Sequence, residues 1–580
     1  MKFVDVASAF GAIEGESSRL EMTRQLASLF QEATADEAAI IAYLALGQLR
    51  PTYKGTQFNI ARKNMMNIVA RAAGVPVEQV KAEFKLLGDL GKVLEAQPDV
   101  QNSCTGLSLL ELNQRLSGIE ALGGTGSQEL KAQALVDLLG CVEPVAAKFI
   151  VRIVLGTLRL GFSDMTILDA LSWMLVGDKS VRLLCENAYN VCADMGRVAR
   201  AAKTGGQEVL ERMGVVMGIP IRPAAAERSS SPQALFDKLG PCIAQEKLDG
   251  FRVQVQVKRT ADKVEIFFYS RNLQNMTAMF PDLAQAFERF EVESLICEGE
   301  AIIIDEHTGS FVPFQETVKR KRKHGVKEAA KEMPLTFFMF DILYLNGQSL
   351  LNQTHTQRRQ VLEQLVDKYG GDTVRAIDEA QINSPDDIES YFSQAIARGL
   401  EGIVAKKPDA VYRPGKRNFN WIKFKRHETG QLDDTIDCVV LGYYAGRGKR
   451  SSFGIGAILV GIYNEQEDRF ETVAKIGTGL SDQGWQELKT LCDEQAISEQ
   501  PKNVVCSKHL APDVWVQPKT VCLVRADEIT KSPVHKAGAA EDKLGYALRF
   551  PRFMGYRQDK LATQATDLSE LKRLYDIQFQ

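Results

Sequence analysis

Residues 246–252 read Glu246-Lys247-Leu248-Asp249-Gly250-Phe251-Arg252. An apolar lead-in (Cys242, Ile243) precedes them and an alternating run, 252–257 (RVQVQV), follows. Alternation with period two predicts a strand, so the lysine stands just before an extended segment. Gly250 permits a turn that keeps the lysine facing a cleft. A lysine flanked by Arg252 and further cations has its pKa lowered. Part of it is then free amine, able to attack phosphorus. Lys-x-Asp-Gly alone is a weak signal, because most such tetrads are surface turns.

Four further groups lie downstream. Glu298-Gly299-Glu300 follows Leu295 and Ile296, and Phe340-Asp341 sits in an apolar run that ends at Asn346-Gly347. Glu401-Gly402-Ile403-Val404-Ala405-Lys406-Lys407 comes next, then Arg417 and Trp421-Ile422-Lys423-Phe424-Lys425. Each has an ordinary explanation by itself. Carboxylates beside strands are mostly solvated, a strand phenylalanine is mostly core, and alternating lysines protect a sheet edge. Together they meet the needs of nucleotidyl transfer: a nucleophile, carboxylates for a divalent metal, cations for phosphate charge and a flat surface for a base.

Residues 1–215 carry helical periodicity, as in 19–33 and 129–141, with breaks at Gly123-Gly124-Thr125-Gly126-Ser127 and Thr204-Gly205-Gly206. The stretch 150–171 reads as two helices joined through Gly161-Phe162-Ser163-Asp164, with Ser163 or Asp164 as N-cap. Exposed amides at such a turn can hold a phosphate. After Pro220-Ile221-Arg222-Pro223 comes a loop, 224–232, and then mixed texture. Strand-like runs at 264–269, 301–304, 335–343 and 402–405 alternate with helical stretches at 282–290 and 385–398. From about Asp434 onward, strands at 436–443, 455–462 and 521–524 suit a small barrel.

A chain of 580 residues calls for roughly three to four domains. The net charge of −3 excludes a polycation, so any nucleic-acid contact must come from local clusters such as 319–327, 406–426 and 447–450. No apolar stretch is long enough for a membrane span, and the first residues lack a secretion signal, so a cytoplasmic protein is expected. The ten cysteines include no C-x-x-C pair, which gives neither a structural zinc site nor a disulfide framework.

The order and spacing of these groups resemble the covalent nucleotidyltransferase superfamily, and within it the ATP-dependent DNA ligases of the archaeal and eukaryotic replicative type. Ser270-Arg271-Asn272 looks like the motif after the nucleophile, and Leu548-Arg549-Phe550-Pro551-Arg552-Phe553, with Arg557, Asp559 and Lys560, looks like the last. The helical region is similar to the DNA-binding domain of these ligases at Gly126-Ser127-Gln128 and from Arg159-Leu160-Gly161 through Leu168-Asp169-Ala170-Leu171. The resemblance implies an all-α DNA-binding domain (1–215), an α/β, ATP-grasp-like nucleotidyltransferase domain for adenylation (216–430) and an all-β OB-fold barrel (431–580).

It also implies roles. Lys247 is the catalytic residue and takes AMP. Gln245, Arg252, Arg271, Glu300, Phe340, Arg417, Lys423, Lys425, Arg549 and Arg552 bind the nucleotide. Arg252 and Arg271 contact ribose or phosphate, Phe340 stacks on adenine, and Arg417, Lys423 and Lys425 neutralise phosphates. Glu300 and Glu401 hold metal, and Arg549 and Arg552 orient the leaving pyrophosphate. ATP and Mg²⁺ are the implied cofactors. Nicked double-stranded DNA is the implied partner, a sliding clamp is a candidate, and a nucleoid-associated monomer serving replication, repair and recombination is expected.

Two positions depart from the family. Gln245 stands where relatives carry the glutamate that reads the adenine amino group, and an amide can donate as well as accept, which leaves selection of ATP over GTP open. Glu298 replaces an aspartate. RNA ligase, capping guanylyltransferase and NAD-dependent ligase are the alternative enzymes, and a non-catalytic nucleic-acid clamp is the alternative of another class. The helical region and the Arg-Phe-Pro-Arg-Phe ending argue against the first two, the lack of a four-cysteine motif against the third, and the presence of Lys247, Glu401 and Lys423 against the last.

Overall fold

The computed structural model describes residues 1–97, 106–156, 158, 160, 163–305, 309–312, 317, 320, 325–415, 417–425, 435–446, 448–539 and 544–578. They form two compact units, Met1–Glu428 and Thr429–Gln580.

The first unit begins with twelve α-helices between Phe3 and Glu211, counted among the described residues. Their ends are written locally. Thr34 and Glu37 make a reciprocal capping box, Ser18 and Ser108 each accept an N–H from the first turn, and Gly74, Gly88 and Gly177 close helices in the left-handed region. The predicted helix pair in 150–171 appears as Pro144–Val154 and Asp164–Val176, with Ser163 at the N-cap position but making no side-chain cap bond. Arg159, Gly161 and Phe162 lie outside the described residues. A buried arginine ties the bundle together. Arg152 donates to Asp89 at 2.6 and 2.9 Å and to both oxygens of Glu14 at 2.8 and 2.9 Å, a satisfied ionic group whose breakage on one side is costly.

Eleven strands follow: β1 (Ala225–Arg228), β2 (Cys242–Lys247), β3 (Phe251–Arg259), β4 (Val264–Ser270), β5 (Ser294–Ile302), β6 (Thr336–Leu345), β7 (Gln348–Ser349), β8 (Val374–Ala376), β9 (Glu379–Ile382), β10 (Gly402–Lys406) and β11 (Arg417–Lys425). One sheet has the order β1-β11-β10-β2-β9. The other runs β4-β3-β5-β6-β7, with β8 against β6. Strand β3 explains the quoted alternation. Its valines Val253, Val255 and Val257 enter one core with Phe268, Phe287 and Phe337. Its glutamines are buried too: Gln254 exchanges two hydrogen bonds with Ile221, each 2.9 Å, and Gln256 bonds Gly218 N and Ile219 O at 2.8 and 2.9 Å. The segment 218–221 thus docks on β3 through side-chain amides.

The second unit holds β12 (Ile436–Tyr444), β13 (Ala457–Asn464), β14 (Arg469–Ile476), β15 (Ala496–Ile497), β16 (Val504–Val505), β17 (Val514–Val516), β18 (Val521–Arg525), β19 (Glu528–Ser532), β20 (Gly545–Arg549) and β21 (Arg552–Tyr556). Eight form one sheet ordered β15-β17-β12-β13-β14-β16, with β18 joining β12 to β21. Ile436, Val440, Ile458, Val460 and the fully buried Trp485 pack its core. The architecture is therefore a helical region, a two-sheet α/β region and a C-terminal β domain. Eight described cysteines are free.

Candidate active site

The register of one sheet gathers several of the residues picked out by sequence. Lys247, Gly402 and Lys425 lie directly opposite one another across β2, β10 and β11. The next row is Glu379, Gln245, Val404 and Lys423, and the next contains Ile243, Lys406 and Trp421. Alternate residues of a strand share a face, so these rows lie on one side. The other side carries Ala244, Ile403, Ala405, Ile422 and Phe424 into the core. Each motif thus divides between chemistry and packing, residue by residue.

Glu401, just before β10, joins the first row. Its carboxylate accepts from Lys247 Nζ on one oxygen and from Lys425 Nζ on the other. Two motif glycines are set by close approach. A Cβ on Gly250 would lie 2.5 Å from Ala301 O, and one on Gly402, whose φ is +149°, would lie 2.2 Å from Phe424 O. The strands flanking Lys247 and Glu401 close only on hydrogen.

The second sheet supplies the remaining groups. Arg252 on β3 is paired with Glu300 on β5, and Glu300 accepts the Gly250 N–H at 3.2 Å. Arg252 donates to Glu298 at 2.9 Å and to Ala224 O at 2.8 Å, and lies 5.4 Å from the Phe340 ring and 5.8 Å from the Trp421 ring. Glu298 also accepts from the Tyr412 hydroxyl at 2.8 Å. The longer side chain at 298 is therefore an anchor for Arg252. Phe340 meets Trp421 edge-on, centroids 6.2 Å apart. Asp341 turns away from Phe340 and accepts two hydrogen bonds from Arg358, at 2.7 and 3.0 Å.

These contacts perturb the titration of the site. Burial lowers the pKa of Lys247, Arg271 and Arg252 add to that effect, and Glu300 and Asp249 oppose it. Burial raises Glu300 to about 7 against the pull of Lys247 and Arg252. Lys406, which the sequence reading did not single out, is buried, donates to Phe340 O at 3.0 Å and lies 4.3 Å from the Trp421 ring. Burial brings its pKa down to about 8. Glu379, His355 and Tyr412 were also not singled out, and as lone residues outside any motif they carry no sequence signal.

Arg271 is exposed just beyond β4. Arg417 opens β11, and its side chain lies outside those described. Arg549 and Arg552 belong to the second unit, where they pair with Glu528 at 2.6 Å and Asp527 at 3.5 Å. Most of 319–327 lies outside the described residues, as do Arg426 and Arg447.

Comparison with known proteins gives the family of the chain. The ATP dependent DNA ligase domain matches residues 223–425, which contain both sheets. The chain belongs to the ATP-dependent DNA ligase family. The DNA ligase N terminus matches 2–172 and the ATP dependent DNA ligase C terminal region matches 451–560. A protein of Dictyoglomus turgidum named "Probable DNA ligase" is 43% identical over 577 residues, covering 99% of this chain and 97% of the relative. "DNA ligase" of Nitrosopumilus maritimus is 36% identical over 589 residues, covering 100% and 98%. The solved structure Pmar-Lig_PreS3 shares the fold, with a TM-score of 0.57 at 16% identity over 95% of this chain and 99% of that one. No described helix is long and apolar enough to cross a membrane.

Ligases of this family use ATP and a divalent metal, and the donor set here fits such an ion. Mg²⁺ is held by one or two carboxylates plus substrate phosphates. No group of three or more metal-ligating side chains occurs among the described residues. Glu300 is a half-buried carboxyl that accepts one backbone N–H, a hard oxygen donor for a cation.

Proposed function

We propose that the chain seals nicks in duplex DNA with ATP, through AMP carried on Lys247. One observation carries this reading: a half-buried amine with a lowered pKa stands in a row with Glu401 and Lys425, beside a second sheet that presents Arg252, Glu300 and Phe340. An ammonium cannot attack phosphorus, so burial that favours the free amine prepares the nucleophile. Phe340 stacks on adenine, Gln245 meets its edge, and Arg252 and Arg271 hold ribose and phosphate. Lys423 and Lys425 neutralise phosphate charge, with Arg417. Glu300 and Glu401 hold Mg²⁺, which supplies charge neutralisation at the phosphates. Arg549 and Arg552 orient the leaving pyrophosphate. AMP then passes to the 5′-phosphate of the nick, and the 3′-hydroxyl displaces it.

In this reading the functional regions are 1–215 for DNA, 216–430 for adenylation and 431–580 as an OB-type barrel. Strand β12 supports the barrel: it pairs β13 on one edge and both β17 and β18 on the other, across an irregularity between Val440 and Gly442. Duplex contacts are electrostatic and indifferent to sequence, the enzyme is a monomer, and a sliding clamp is a candidate partner. The test is sealing of a singly nicked duplex with Mg²⁺ and ATP, GTP or NAD⁺ supplied separately. Sealing with ATP is the expected result. Failure with all three, or adduct formation with joining of RNA ends alone, overturns the reading.

A further inference from the structure

Gln245 lies two residues before Lys247 on the same face of the strand, and the sheet fixes its amide. It sits directly opposite Glu379 on the neighbouring strand β9. Its Nε2 donates to Glu379 Oε1 at 2.5 Å and faces Phe340 O at 3.4 Å. A carboxylate and a backbone carbonyl only accept. An inverted amide would set its oxygen against both, so the nitrogen is committed to the protein and the carbonyl oxygen is the end presented to a ligand. A glutamate at 245 would instead bring two carboxylates to hydrogen-bond distance, which like charges oppose.

Glu379 is itself held in place. His355 Nε2 lies 2.9 Å from the same Oε1, and Arg359 Nε lies 3.7 Å from the other oxygen. Burial would raise the Glu379 pKa, but His355 and Arg359, with Lys406, outweigh it and keep the group ionised. Both Gln245 and His355 are 2% exposed, so water does not compete for these contacts.

We infer that Glu379 is a positioning residue for base selection, locking the Gln245 amide with its carbonyl oxygen toward the base edge. Adenine offers an amino group at that edge and is accepted. Guanine offers a carbonyl oxygen there, and two acceptors facing each other in a buried site are left unpaired. The inference rests on the proposed nucleotide site. It differs from that proposal in assigning ATP selection to a residue that does not itself touch the nucleotide.

The test is label transfer from α-labelled ATP or GTP to the full chain, with Mg²⁺ and no DNA. Wild type should strongly favour ATP. In Glu379→Gln the new amide can donate to Gln245, the Gln245 amide can invert, and the ATP:GTP ratio should fall about ten- to hundredfold. The exchanged pair Glu379→Gln with Gln245→Glu should restore ATP preference, because a carboxylate accepts at either end. That double variant decides the matter if the single variant folds poorly. Equal loss with both nucleotides in Glu379→Gln, an unmoved ratio, or a double variant that uses both nucleotides equally overturns the inference. No label on wild type from either nucleotide overturns the proposed function as well.

Discussion

Gly402 joins Glu401 to β10 at the centre of the Lys247 row, and replacing it with alanine tests whether that geometry matters. A Cβ there would lie 2.2 Å from Phe424 O and 2.9 Å from Lys425 Cα, both backbone atoms of β11. A side chain at the Gly402 φ of +149° costs about 1–3 kcal/mol, and prising packed strands apart costs about 1–3 more. Gly402→Ala should therefore lose roughly 2–6 kcal/mol. At about 2–4 °C per kcal/mol for a domain of about 200 residues, the melting temperature should drop by at least about 4 °C. Activity should suffer beyond stability, because the displaced strand carries Glu401 away from Lys247 and Lys425. Calorimetry gives the first quantity, and label transfer from ATP well below the melting range gives the second. A melting temperature within about 1 °C of wild type together with an unchanged adenylation rate would refute the close-approach argument.

Lys247→Arg keeps a charge that is never released, so no AMP adduct should appear on a denaturing gel, and an adduct there would remove Lys247 from the chemistry. Because burial disfavours the Lys247 ammonium, wild-type adenylation should rise with pH about a midpoint below the ordinary lysine value of 10.5, and a midpoint at or above it would contradict the lowered pKa. Burial would raise the Asp341 pKa, but Arg358 outweighs it and holds the group at about 2 against an ordinary 3.8. A lowered folded pKa means that its stabilisation is present above 3.8 and fades as pH falls toward 2, by about 2 kcal/mol. The gap in denaturant stability between wild type and Asp341→Asn should accordingly narrow between pH 5 and pH 3, and a constant gap would exclude the linkage. Tyr412→Phe deletes the hydroxyl that donates to Glu298 and accepts the Ala224 N–H. It should cost about 1–3 kcal/mol in denaturant unfolding, whereas a neutral result would mean that neither bond matters.

The sequence made the motifs and their order legible, because each sits at a strand edge with its own polar signature. What it concealed were partners distant along the chain. The run 252–257 reads as a strand with one wet face, yet Gln254 and Gln256 are buried because Gly218, Ile219 and Ile221 bring backbone groups to them. Of the predicted strand 301–304, only Ala301 and Ile302 lie in a strand, as the tail of Ser294–Ile302. Glu298 and Glu300 disguise its first half, and Glu298 is tolerated at 1% exposure only because Arg252 and Tyr412 reach it. Residues 225–228 read as loop, but pairing with β11 makes them a strand. In the candidate site, the residues that touch the proposed nucleotide were visible, and those that orient them, Glu379, His355 and Tyr412, were not. A single polar residue acquires such a role only from what the fold sets opposite it.

Glu401, bonded to two lysines, also keeps a tally. While Lys247 is still protonated, two ammonium groups and one carboxylate sum to a single positive charge, and the deprotonation that readies Lys247 for attack brings that sum to zero. In the proposed reaction Lys247, once bonded to phosphorus, is neutral and carries a phosphate anion while Lys425 remains charged, so the three side chains with that phosphate sum to a single negative charge. A swing of two charges at fixed atoms reverses the sign that the pocket presents to the next arrival. By that sum, in the proposed reaction these groups favour an incoming polyanion before loading and a cation after it. Glu401, released from one of its lysines, is the side chain through which that reversal is felt.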